Sequence, residues 1–132
     1  MARTDFNVTI NATNLELSAR DRIKMKDTST ATKFDDILTE EGQQNGVIIA
    51  VKGYALLAIH NEHAKDGQDY EQTVIVTADD TRYITGSSSF RDNLLDIADE
   101  LSDEGITEFD LLVYKQKSKN RDGKYFITCA LA

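Results

Sequence analysis

Proline and tryptophan are absent from this chain, and cysteine occurs once. Without proline, turns and helix starts must be marked by Gly, Asn, Asp and Ser. A single thiol, Cys129, excludes an intramolecular disulfide and fits a reducing compartment. Cations are scarce too: 15 Lys and Arg stand against 23 Asp and Glu, a formal net charge of −8. That balance excludes a histone-like, generally polybasic binder. No apolar run approaches the roughly 18 residues of a membrane-spanning helix, so no membrane partner is expected. Met1-Ala-Arg-Thr-Asp-Phe6 carries no signal-peptide core. The acceptor-like triplets Asn7-Val-Thr9 and Asn11-Ala-Thr13 are therefore read as chance. At 132 residues, the expectation is one domain with a modest core of its own.

The few cations are concentrated. Lys115-Gln-Lys-Ser-Lys-Asn-Arg-Asp-Gly-Lys124 holds Lys115, Lys117, Lys119, Arg121 and Lys124 against one acid, Asp122. Strand-like runs flank it, Thr107 to Tyr114 before and Tyr125 to Leu131 after. Asp122-Gly123 supplies the turn signal, so the stretch reads as a basic loop joining two strands. A cationic loop on an acidic domain points to a local anionic partner. A second concentration is Arg20, Arg22, Lys24 and Lys26, at every second residue. In a strand all four share one face, with Ile23 and Met25 on the other. Such a row repels itself unless something anionic lies across it. The alternative is a solvated outer face beside acids.

In chain order, Phe6 to Leu17 alternates as a strand or arm. Thr28 to Thr32 is a polar loop. Phe34 to Gly42 makes one or two helical turns with a solvated acidic face. Val47 to Ile59 predicts a long strand bent or bulged at Gly53. Lys52 and Tyr54 face outward there, although a bulge would shift the phase by one at Tyr54. Strands follow at Tyr70 to Ala78 and Arg82 to Thr85, separated by a turn at Asp79-Asp80. Phe90, Leu94, Ile97 and Leu101, with Leu95 and Ala98, mark an amphipathic helix. Ser88 or Ser89 is its expected N-cap, and Gly105 its end.

From Gly46 onward the order is strand, strand, strand, helix, strand, strand. That order predicts a mainly β fold, a five-stranded OB-like barrel with one helix between strands three and four. Residues 46–132 form the barrel core, and 1–45 an N-terminal β extension and connector, within one domain. A small α+β sandwich is the alternative. In an OB barrel, the loop between strands four and five flanks the nucleic-acid-binding face, and here that loop is Lys115 to Lys124.

Binding single strands without sequence choice needs cations along the phosphates and aromatic faces for the bases. The candidate cations are Arg20, Arg22, Lys24, Lys26, Lys52, Lys115, Lys117, Lys119, Arg121 and Lys124. In the last strand, Tyr125, Ile127, Cys129 and Leu131 form the more apolar phase, which leaves Phe126 outward. Phe109, Leu111 and Val113 look inward on the strand before it, leaving Tyr114 beside the loop. Tyr54, Tyr114 and Phe126 are thus the candidate stacking rings. His60-Asn-Glu-His63, with Asp66 and Asp69, matches no defensible metal pattern and reads as a solvated loop. Cys129 lacks a His partner and reads as a buried structural thiol. With no Walker loop and no GxGxxG, neither enzyme activity, cofactor nor metal is expected.

Four features in one order carry a resemblance. They are Thr73-Val-Ile-Val-Thr-Ala-Asp-Asp-Thr-Arg-Tyr83, the Ser-rich helix start, Phe109-Asp-Leu-Leu-Val113, and Ser118-Lys-Asn-Arg-Asp-Gly-Lys-Tyr-Phe126. Together they resemble the single-stranded DNA-binding proteins of small tailed bacteriophages of Gram-positive bacteria, including those with protein-primed replication. The resemblance covers roughly Gly46 to Leu131, and the basic loop is richer here than the family pattern requires. It implies an OB-like protein that coats and protects single-stranded DNA in replication or recombination, in the cytoplasm of a bacterial host. The implied partners are single-stranded DNA, a second copy of the chain in a homodimer or other self-association, and replication proteins. The alternative function is a protein-interaction module or regulatory factor whose basic loop meets an acidic partner. An RNA-binding OB domain is third.

Overall fold

The computed structural model describes residues 6–38, 46–61, 69–117 and 125–132. Its elements in order are β1 (Phe6–Thr13), α1 (Ala19–Lys26), β2 (Thr32–Lys33), α2 (Phe34–Ile37), β3 (Val47–Asn61), β4 (Asp69–Thr77), β5 (Arg82–Thr85), α3 (Ser88–Ser102), β6 (Phe109–Lys117) and β7 (Tyr125–Leu131). The strands make one curled, open sheet, a half-barrel, in the order β2-β5-β4-β3-β6-β7, with β1 paired to β3 off that path. The chain is mainly β, as its alternating apolar runs predict.

β3 is the spine. Val47 to Val51 pairs with β6 and Ala55 to Asn61 with β1, while β4 takes the other edge from Val51 to His60. The β3–β4 register slips between Val51 and Gly53, so Lys52 is the extra residue of a bulge. The bulge exchanges the faces. Before it, Ile49 and Val51 point into the main core. Beyond it, Tyr54 packs on that same core, while Ala55, Leu57 and Ile59 turn to a second core on the opposite face.

The main core joins Ile75 of β4, Leu111 and Val113 of β6, and Ile127 and Cys129 of β7 to Phe90 and Leu94 of α3. Phe34 stacks on Tyr83 with ring centroids 5.2 Å apart and planes 13° apart, and tilts against Phe90 at 5.2 Å. The start of α2 therefore ties β5 to α3. Burying Phe90 and Leu94 stabilises the helix's seat by about 1.5–3 kcal/mol each. The second core holds Met25, Leu57, Ile59, Val74, Val76 and Ile84, covered by Val8, Ile10, Leu15 and Leu17. The N-terminal segment is thus a lid over the sheet's other face.

α3 sits where the half-barrel is open, bridging the β5 end of the sheet to β7. Ser87, two residues past β5, caps the helix by accepting from the Phe90 amide at 3.2 Å, and it donates to the Ile127 carbonyl at 2.5 Å. The cap falls one residue before the expected Ser88 or Ser89. Asn93 donates to Thr128 Oγ1 at 2.9 Å and to the Cys129 carbonyl at 3.2 Å. Side chains of a helix, not another strand, meet the outer edge of β7. For the same reason Thr128, in the phase read as outward, is buried. Gly105 closes the helix with φ +78°, as expected, and Ile106 donates back to the Leu101 carbonyl at 2.9 Å.

The expected strand at Arg20 to Lys26 is instead α1. Ser18 Oγ accepts from the Asp21 amide at 3.1 Å, and the Asp21 carboxylate accepts from the Ser18 amide at 3.4 Å. That capping box, followed by straight-chain Arg, Lys and Met, favours helix. Residues two apart on a helix point to nearly opposite sides, so the row splits, with Arg20 and Lys24 on one side and Arg22 and Lys26 on the other. The polar loop at Thr28 to Thr32 contains a 3₁₀ turn at Thr28–Thr30 and ends in β2, which pairs in parallel with Tyr83 and Ile84. The expected helical turns at Phe34 to Gly42 are α2 for Phe34–Ile37, and residues 39–45 lie outside the described ones. Among the described residues, no helix is long and apolar enough to cross a membrane.

Candidate nucleic-acid interface

β7 pairs along its whole length with Leu111 to Lys117 of β6, with Tyr114 opposite Thr128, Lys115 opposite Ile127 and Gln116 opposite Phe126. Tyr114 and Phe126 are therefore diagonal neighbours on one face, within reach for aromatic side chains. Both are half-buried. Gly46 takes φ +74°, and a Cβ there would lie 2.4 Å from the Val113 carbonyl oxygen and 2.8 Å from Tyr114 Cβ, so the chain passes hard against the base of that side chain. The same outer face continues through Leu112 and Ala130 to Ile48, which is 68% exposed.

Lys115 and Phe126 also line one open cleft of about 710 Å³ with Thr85, Ser87, Ser88 and Ser89. Lys115 is half-buried, and no described residue gives it a hydrogen-bond or ion-pair partner. The amides of Ser88 and Ser89 open α3, a helix with no acid in its first turn. Helix N-termini leave amide donors without intrahelical acceptors and carry partial positive charge. The serines, expected only as caps, thus line the cleft. Asp96, Asp99 and Glu100 are exposed further along α3, and Asp103 and Glu104 are exposed just past its end.

Lys52 and Lys24 meet in a different cleft of about 400 Å³, between α1, the β3 bulge and the β4–β5 turn. Lys52 Nζ lies 2.7 Å from Asp80 Oδ1, and that hydrogen bond raises its pKa above the usual value. Asp80 holds φ +67° in the expected Asp79-Asp80 turn. Arg82 donates to the Lys24 carbonyl and to Thr30 Oγ1, and Arg22 donates to the Leu17 carbonyl at 2.9 Å. Arg20, Arg22, Lys24 and Lys26 are all exposed. Val51, beside Lys52, pairs with Phe109, six residues before Lys115 on β6. At the rise of a strand that separates the two cationic groups by about 20 Å. The structure does not bring them together.

Tyr54 does not extend outward as a free ring. The bulge turns it toward the main core, where burial pushes its phenol pKa up, with Asp99 adding to the shift. Lys117 ends β6 opposite Tyr125. Lys119, Arg121 and Lys124 lie outside the described residues. His60 Nδ1 lies 2.7 Å from Asp69 Oδ1, and His63 and Asp66 are outside the described residues. Among the described residues, no group of three or more His, Cys, Asp or Glu side chains is placed to hold a metal. Cys129 is free and buried, and burial pushes its thiol up to about 12.

Comparison with protein-family models, curated proteins and solved structures finds no match to this chain.

Proposed function

We propose that this chain is an OB-type single-stranded DNA-binding protein of phage replication or recombination, acting without catalysis and largely without sequence choice. The observation that carries the reading is the open cleft lined together by unpaired Lys115, by Ser88 and Ser89 at the start of α3, and by Phe126. A phosphate seated there meets an ammonium and a helix N-terminus together. The adjoining bases stack on Phe126 and Tyr114. In sequence, the cations Lys117, Lys119, Arg121 and Lys124 follow directly on Lys115, extending the same positive stretch. The exposed acids of α3 discourage a second strand from lying along the helix. The OB reading is supported by a bulged long strand, β3, that pairs with both β4 and β6, and by α3, which lies between the third and fourth of the five strands β3 to β7.

Fluorescence anisotropy with labelled oligothymidine and with duplex DNA, across a salt series, tests the reading. The expected result is a strong preference for the single strand and a steep fall in affinity with salt. Absence of single-strand binding at low salt overturns it. Equal affinity for oligothymidine and the matching RNA would move the reading to nucleic acid in general.

A further inference from the structure

An edge strand leaves a row of amides and carbonyls open to pairing, and proteins guard such edges with charge, proline or a covering element. Two described strands of this sheet carry no charged residue, β1 and β7. The outer edge of β7 is met by Ser87 and Asn93 of α3. β1 pairs with β3 on one side, and among the described residues nothing is hydrogen-bonded to its other edge. In a chain of net charge −8, an unguarded and uncharged edge is where two copies approach with least repulsion.

The sequence of that edge says what covers it. Asn7-Val-Thr-Ile-Asn11 is symmetric in residue type about Thr9. Asn7, Thr9 and Asn11 are exposed, while Val8 and Ile10 face the second core. We propose that the free edge of β1 pairs antiparallel with β1 of a second copy, on a two-fold axis through Thr9. In that register Thr9 faces Thr9, Asn7 faces Asn11, and Val8 faces Ile10, so polar meets polar on the exposed face and apolar meets apolar on the other. Axes through Val8 or Ile10 also match residue types but pair only three of these five residues, so the axis through Thr9 makes the longest matched ladder. Asn11, the residue of β1 left without a partner on β3 between Ile10 and Ala12, is where the pairing ends. The two sheets become continuous through β3, β1, β1 and β3.

Sedimentation equilibrium of the full chain, without DNA and over rising concentration, reads the association. The expected result is a monomer–dimer equilibrium whose dissociation constant rises at least tenfold in Thr9→Lys, with the melting curve preserved. Monomer at every concentration, or a dimer indifferent to Thr9→Lys, overturns the proposal. Thr9→Cys serves even where the lysine variant fails to fold, because facing residues of an antiparallel pair lie within disulfide range. Under mild oxidation it should form a covalent dimer far faster than Ser102→Cys, an exposed thiol away from β1. Equal rates overturn the proposal. The proposal stands apart from the DNA reading, since neither measurement contains nucleic acid.

Discussion

Leu15 fills the space where Gly53 has no side chain: a Cβ at Gly53 would lie 2.3 Å from Leu15 Cγ and 2.4 Å from Cδ2. The leucine reaches over the bulge of β3 and clamps the N-terminal segment to the sheet. Gly53→Ala forces that contact apart and is expected to destabilise the fold by about 1–3 kcal/mol, as overpacking does. Leu15→Ala made in the same chain should recover part of the loss. Urea unfolding of the four members of this cycle checks it, and additive losses would show that the two residues do not meet.

Phe126 and Tyr54 are both half-buried, but Phe126 lines the cleft and Tyr54 packs on the main core. Phe126→Ala should weaken oligothymidine binding by about 1–3 kcal/mol, the usual worth of a stacked base. Tyr54→Phe should leave binding unchanged, because the ring leans on the main core. Anisotropy at one fixed salt concentration compares them. If Tyr54→Phe weakens binding as much as Phe126→Ala, the platform has been drawn on the wrong side of β3.

Asp79 offers a test by titration. The Thr77 hydroxyl, then the Thr81 side chain and amide, hold its carboxyl below the usual 3.8. A lowered carboxylate stabilises the fold above pH 3.8, and that contribution is lost as pH falls through the lowered value. Thr77→Val removes the leading cause, so the Asp79 pKa should move upward in a carbon-detected NMR titration. No movement would mean that the turn is held by Thr81 instead.

Cys129 should resist alkylation. Burial raises its thiol from 9.0 to about 12, so almost no thiolate exists at pH 8 in the folded chain. The neutral thiol's contribution to stability is fully present below pH 9 and is lost as pH climbs toward the folded value. Iodoacetamide at pH 8 should label the chain only after denaturant is added. Rapid labelling of the native protein would place the thiol outside the core.

The barrel half was legible because its signals are local and redundant. The Gly53 bulge, the stripe from Phe90 to Ala98 and the strands at Arg82 to Thr85 and Tyr125 to Leu131 each follow from period and turn residues. The N-terminal segment misled. Charges at every second residue imitate a strand, yet they say nothing of burial, and Met25 is the one buried residue of α1. The capping pair Ser18 and Asp21 was the signal that decides helix over strand. Phe34 looked like the start of a surface turn, but it is buried at the centre of the main core. Only tertiary contact with Tyr83 and Phe90 reveals that. At the site, Lys115 and Phe126 were legible from the charge run and strand phase. Their meeting with Ser88 and Ser89 depends on how α3 spans the opening, which no local pattern encodes.

The bulge at Lys52 makes β3 a strand read in two frames. Its alternation runs unbroken on paper, yet the molecule assigns odd-numbered positions to one core before the bulge and to the other after it. Straightening β3 into a regular ladder without removing that extra residue would therefore shift an entire half of the strand into the wrong compartment, whereas deletion of Lys52 would leave both halves facing as they do. Substitutions, by contrast, stay local: those at Ile49 speak to α3, and those at Leu57 to the N-terminal segment. The bulge insulates the end of the molecule that meets the cleft from the end that carries β1.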